Sequence, residues 1–248
     1  MNIEHIRYNL LDAIRGFAIL NMVIYHLFFD LVYIYGMKIL WFQGGVGNLW
    51  QQGICWIFIF LAGMCWSLGH HHLKRGGVIL GCGLVITLVT ILFMPDFMVV
   101  FGILSFLGIA ILLMIPLSKI LSKIPAFPGF ISFFSLFIIA LEFGIGTQNA
   151  EYFPPEQVSW GISAVKSLGM AILGFPNENF FSADYFPIMP WLFLFIAGYY
   201  SWQILQKSES AMFMLHYGAP WLEWQGRHSL IIYLLHQPAL LGILYLIL

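Results

Sequence analysis

The chain has 248 residues, of which 61% are hydrophobic and 8% charged, and a formal net charge of -1. Soluble domains carry about 25% charged residues, so this composition excludes a soluble globular enzyme and a disordered chain. Ten Lys and Arg against eleven Asp and Glu leave no basic field for nucleic acid.

A mean hydropathy of +0.90 points to a multi-pass membrane protein. The apolar stretches read as helices, because β-barrel strands would alternate polar and apolar residues over short segments. A spanning helix needs about 20 mostly apolar residues. In chain order, seven runs qualify: 10–35, 50–68, 78–94, 99–117, 127–143, 187–204 and 229–248. The run 160–173 is apolar but short and contains Lys166 and Gly169, so it reads as an interfacial or re-entrant helix. No cleaved leader is expected, since the first run is too long for a signal peptide and carries Asp12 and Arg15 at its mouth. Cys55, Cys65 and Cys82 form no C-x-x-C pair and read as small buried side chains. Without repeats or linkers, the expectation is an all-α polytopic transmembrane helix bundle of about seven spans, forming one integral-membrane domain over 1–248.

Charge sets the expected orientation. One side collects Arg7, Arg15, Lys74, Arg75, Lys119, Lys123, Lys207 and Arg227 against Glu4, Asp12, Glu209 and Glu223. The other holds Lys38 and Lys166 against Asp30, Asp96, Glu142, Glu151, Glu156, Glu178 and Asp184. The positive-inside rule then places the N-terminus in the cytoplasm. The long outer loop, 144–186, is rich in rings (Tyr152, Phe153, Trp160, Phe175, Phe180, Phe181, Tyr185), which suits a sugar surface or a membrane interface.

Polar residues inside the apolar runs carry the functional reading. An ionisable group at the bilayer centre costs ~2.5–3.5 kcal/mol on insertion scales. Arg15 and His26 are eleven residues apart, about 20° beyond three turns, so they share a face some 16.5 Å apart along the axis. Asp30 follows His26 by four residues and can reach it. On the last span, His236 lies nine residues past Arg227, ~13.5 Å deeper on a continuous helix, so it matches His26 in depth. Gln237 and Pro238 follow. A carboxylate beside an imidazole makes a general base, so His26, Asp30 and His236 are the candidate catalytic residues; a structural polar contact between helices is the alternative.

Lys74, Arg75, Lys119, Lys123 and Arg227 together could receive a polyanionic donor, although orientation alone explains each of them. Asp184, Tyr185 and Trp191 open the sixth span, where Asp184 could contact substrate or cap the helix that Pro187 starts. Gly102, Ser105 and Gly108 read as close helix packing. No metal motif is present.

The stretch Leu11-Asp12-Ala13-Ile14-Arg15-Gly16-Phe17-Ala18-Ile19-Leu20, with His26 and Asp30, resembles the opening helix of bacterial proteins in the heparan-α-glucosaminide N-acetyltransferase catalytic-domain family. Phe-Gly-Ile-Leu at 101–104, Asp-Tyr-Phe-Pro with Pro-Trp at 184–191, and Ser-Leu-x-Ile-Tyr-Leu-Leu-His-Gln-Pro at 229–238 fit the same family in order. The Arg15–His26 spacing is also similar to the first helix of the integral-membrane acyltransferase-three family. The resemblance implies an acyl-CoA-dependent O- or N-acyltransferase of the cytoplasmic membrane. It would move an acyl group, acetyl from acetyl-CoA, to a hydroxyl or amine of an extracytoplasmic sugar or glycan. Arg15 would face the donor, His26 would act as base or acyl carrier, Asp30 would orient it and His236 would assist. The lysosomal enzyme uses a histidine beyond its first helix. None stands between Leu27 and Gly69 here, so that histidine is not carried over, and the role of His26 rests on the resemblance to the acyltransferase-three spacing instead. Fewer spans than these relatives usually have admits either a truncated pocket or a homodimer.

Two other classes compete. A proton-coupled transporter would use His26, Asp30 and His236 as a relay. A haem-binding electron carrier would ligate iron with His26 and His236.

Overall fold

A computed structural model describes residues 7–146, 162–177 and 180–248. Glu4, Glu151, Tyr152, Phe153, Glu156, Trp160, Glu178 and the side chain of Lys166 lie outside the described residues. Among those described, every regular element is helical. They are α1 (Asn9–Phe29), α2 (Gly45–Met64), α3 (His72–Phe93), α4 (Ile103–Leu121), α5 (Ala126–Glu142), α6 (Ile162–Leu173), α7 (Ile188–Leu205), α8 (Glu209–Met214), α9 (Pro220–Arg227) and α10 (Ser229–Ile247). Six of these, α1 to α4, α7 and α10, are long and apolar enough to cross a membrane, and α5 is a shorter apolar helix of 17 residues. The all-α polytopic expectation holds. The 12 residues of α6 reach only about 18 Å, short of the ~30 Å hydrocarbon core.

Boundaries differ where hydropathy and helicity part. Helix α3 starts at His72 rather than 78 because Lys and Arg form helix about as readily as Leu. Helix α4 starts at Ile103 rather than 99 because Phe101 is left-handed (φ 60°) and Gly102 is extended. Helices α8 and α9 were not expected. Ser208 accepts the Ala211 N–H to cap one, and Pro220 opens the other. Nor is the last segment continuous. Helix α9 ends at Arg227, His228 leaves helical geometry (φ -102°, ψ 13°), and α10 begins at Ser229. The rise to His236 therefore counts from Ser229, about 10.5 Å. Cys55 is buried, whereas Cys65 and Cys82 are half-buried.

The chain divides into two compact units, Met1–Leu61 with Leu205–Leu248, and Ala62–Ile204. In the first, α1 buries Leu11, Ala18, Met22 and Tyr25 along one stripe, with Asp12, Gly16 and Ile19 beside it. Lipid is as apolar as leucine, so membrane helices associate by close packing. Gly16 and Gly226 supply it: a Cβ on Gly16 would strike the Leu222 carbonyl, and one on Gly226 the Asp12 carbonyl. This is the crossing of α1 and α9. Farther along, Ile19, Met22, Tyr25, Val32, Phe42 and Ile54 form a buried cluster. Helix α1 then loosens into a π-helical turn, Asp30–Ile34, in which the Tyr35 N–H donates to the Asp30 carbonyl at 3.0 Å. Gly36, at φ 72°, ends it.

In the second unit, α3 and α4 pack through glycines. A Cβ on Gly83 would lie 2.5 Å from Ser105 Oγ, and one on Gly108 2.6 Å from the Leu80 nitrogen. Ser105 and Gly108 thus serve the close packing read from sequence. Helix α7 is buried on all sides, Leu194 to Tyr200 without a break, and forms the centre of this unit. Tyr200 Oη donates to the Leu121 carbonyl at 2.9 Å, and Trp66 Nε1 to that of Ile111 at 3.2 Å. Both satisfy groups that would cost several kcal/mol unpaired in lipid.

Candidate active site

His26 lies in the last turn of α1, and Asp30 opens the π-helical turn that follows. His236 and Gln237 lie midway along α10, just before Pro238. The fold brings these four together. The imidazoles of His26 and His236 are 4.7 Å apart between centroids, tilted by 59°. Tyr25 packs edge-on to His26 at 5.9 Å, and Phe29 lies 6.2 Å from it. Asp30 is fully buried.

The expected His26–Asp30 hydrogen bond does not form. Gln237 Nε2 donates to Asp30 Oδ1 at 2.7 Å instead, while His26 Nδ1 and Asp30 Oδ2 have no hydrogen-bond partner. An amide bears two strong donors, and Gln237 reaches the carboxylate from the facing helix. His236 Nδ1 lies 2.6 Å from the Tyr233 carbonyl. A carbonyl only accepts, so Nδ1 carries the proton and the lone pair of a neutral His236 sits on Nε2.

Four shielded polar atoms in this cluster lack a partner: His26 Nδ1, Asp30 Oδ2, His236 Nε2 and Gln237 Oε1. Buried polar groups are nearly always paired in native structures. A cluster of unpaired ones, holding two imidazoles and a carboxylate, can bind a hydrogen-bonding ligand and exchange protons with it. Rings 4.7 Å apart are closer than two imidazoles that ligate one haem iron from opposite faces, so this arrangement does not favour the haem reading. Among the described residues, no group of three or more His, Cys, Asp or Glu side chains converges as metal ligands.

Of the residues expected at the donor end, Arg15 lies on α1, about 16.5 Å along the axis from His26. Its guanidinium donates to Asp12 Oδ1 at 3.2 Å, and Arg7 Nε donates to Asp12 Oδ2 at 2.7 Å. Gly226 packs on Asp12 and Gly16, which sets Arg227 at the same crossing. Arg227 donates to the buried Glu223 carboxylate at 2.8 Å. Lys74 and Arg75 belong to the other unit, exposed in the first turn of α3. There the Arg75 guanidinium rests against Gly69, and His72 stacks on Trp66 at 4.2 Å.

Asp184, Tyr185 and Trp191 also belong to that second unit. Asp184 caps a helix, but α4 rather than α7: its Oδ2 accepts the Ile103 N–H at 3.1 Å. Ser182 Oγ accepts the Val100 N–H at 2.9 Å, and the Phe186 N–H donates to the Phe101 carbonyl at 3.0 Å. The 101–104 and 184–187 patches singled out separately in the sequence are thus one joint. Tyr185 donates its hydroxyl proton to the Ala171 carbonyl, and burial raises its phenol above the ordinary range. Trp191 is buried between Phe137 and Phe186, at 5.6 and 4.9 Å.

Gln237 is the site residue that sequence reasoning undervalued. Its signal was an amide placed between a membrane-embedded histidine and a proline.

No curated protein and no solved structure matches this chain. The family model described as heparan-alpha-glucosaminide N-acetyltransferase, catalytic, matches residues 7–238, nearly its whole length. Its membrane-length helices and this match make the chain a multi-pass membrane protein that belongs to the heparan-alpha-glucosaminide N-acetyltransferase catalytic family, a family of membrane acetyltransferases.

Proposed function

We propose that this protein moves an acetyl group from cytoplasmic acetyl-CoA to a hydroxyl or amine of a sugar or glycan on the outer face of the cell membrane. The observation that carries the reading is the pair of imidazoles, His26 and His236, 4.7 Å apart inside an acetyltransferase-family chain. As the acceptor's oxygen or nitrogen attacks the thioester carbonyl, its proton passes to an imidazole of the pair. The C–S bond breaks, the new C–O or C–N bond forms, and the thiolate of CoA takes the proton. Positioned general-base catalysis of this kind is worth about 10²–10⁴-fold in rate. Asp30, one turn from His26, supplies negative charge against the imidazolium that forms. Arg15 and Arg227 at the α1–α9 crossing supply cations for the donor's phosphates. The excess of Lys and Arg on that side is the support for a cytoplasmic donor face.

The test uses purified protein in sealed vesicles with radiolabelled acetyl-CoA outside and a panel of amino and neutral sugars inside. Label in a luminal sugar is the expected result. Folded protein that leaves all label on CoA with every sugar, in vesicles of either orientation, would overturn the reading.

A further inference from the structure

The bond from Gln237 to Asp30 joins residues 207 positions apart in sequence. Each end sits beside a histidine. Gln237 follows His236 directly on α10, and Asp30 lies one turn beyond His26 on α1. Each end also sits at an irregularity of its helix. Asp30 is the first residue of the π-helical turn. Pro238 is internal to α10, where proline lacks the N–H that would bond to the Leu234 carbonyl. Interruptions of both kinds are points at which helices bend. The two helices are therefore least constrained by their own backbones where the imidazoles must face each other. One residue of helical slip is about 1.5 Å, enough to break a 2.7 Å hydrogen bond.

We propose that Gln237 is a positioning residue: its amide clamps the Asp30 carboxylate and thereby fixes the depth and rotation of α10 against α1, which sets the spacing of His26 and His236. The clamp uses one donor of the amide and one carboxylate oxygen. Gln237 Oε1 and Asp30 Oδ2 stay unpaired beside the rings, so the pair positions the imidazoles without consuming its capacity to accept hydrogen bonds from a ligand. The kinetic consequence rests on the acetyl-transfer reading; the clamp itself does not.

The test compares wild type, Gln237→Leu, Gln237→Glu and the double variant Asp30→Asn with Gln237→Glu. The double variant keeps a donor on α1 and a carboxylate on α10, so the bond re-forms with the charge moved across. Two readouts are taken on detergent-purified protein that elutes as a single folded species. The first is steady-state acetyl transfer. Misplacement by about 1 Å can cost about 10²-fold, so each single variant should lose kcat on that scale, while KM for acetyl-CoA stays within about two-fold. The double variant should recover to within about ten-fold of wild type. The second readout is the imidazole ¹⁵N spectrum of His26 and His236, which reads the clamp whether or not the protein transfers acetyl groups. It should change in each single variant and return towards wild type in the double.

Wild-type kcat in Gln237→Leu with unchanged imidazole signals would overturn the clamp. So would a double variant as impaired as Gln237→Glu, with signals like that single variant's. If wild type shows no transfer while the spectra still respond as expected, the catalytic reading falls and the clamp stands. Should a single variant fail to fold, the double decides: folding with wild-type-like signals supports the clamp, and failing to fold with its charge-swapped bond available contradicts it.

Discussion

The imidazoles of His26 and His236 face each other at 4.7 Å, and His236 presents Nε2 as its basic nitrogen because Nδ1 is committed to the Tyr233 carbonyl. On the proposed reading, two rings this close serve one proton transfer rather than two. Replacing both should therefore cost little more than replacing the worse one. We expect His26→Ala and His236→Ala each to lower kcat, by about 10²-fold or more, with the double variant well short of the product of the two. Steady-state transfer on the three proteins checks this; multiplicative losses would show two independent roles.

Asp184 and Gly102 form one joint. The carboxylate accepts the Ile103 N–H, and a Cβ on Gly102 would lie 2.6 Å from Asp184 Oδ2. Asp184→Ala should cost about 1 kcal/mol through the lost cap. Gly102→Ala should cost a similar amount by displacing the same carboxylate, and the pair should be less than additive. Thermal unfolding in detergent measures all three. Full additivity would mean that the two residues act separately.

The α1–α9 crossing depends on backbone contact. A side chain on Gly16 or Gly226 meets a carbonyl of the other helix rather than a flexible side chain. Gly16→Val and Gly226→Val should each destabilise by about 1–3 kcal/mol or more, read as a lower melting temperature and reduced recovery of folded protein. Wild-type melting in either variant would contradict this packing.

How far the sequence led depends on whether a feature is local. The meeting of His26 and His236 was readable because imidazoles are costly in lipid, although the rise counted from Arg227 crosses the break at His228. Asp30's partner was not. Spacing of four allows a contact with His26, but the competing donor, Gln237, comes from the other end of the chain. Asp184 was readable as a cap and misassigned to its neighbour α7, because the N–H it accepts belongs to Ile103, 81 residues away. Helices α8 and α9, of six and eight residues, are too short to leave a hydropathy signal.

Arg15 is half-buried at the α1–α9 crossing and bound to Asp12, which is itself buried. If Arg15 meets the donor as proposed, Arg15→Ala should raise KM for acetyl-CoA several-fold with a smaller change in kcat, since the imidazoles stay in place. Initial rates across a range of acetyl-CoA concentrations decide it; a pure kcat loss would assign Arg15 elsewhere.

The most direct measurement is single-turnover transfer of radiolabelled acetyl from acetyl-CoA to a sugar acceptor by wild type and His26→Ala, each verified as folded. Wild type should acetylate the acceptor, and His26→Ala should do so at least about 10²-fold more slowly. Equal rates in the two proteins would show that this imidazole takes no part in the chemistry.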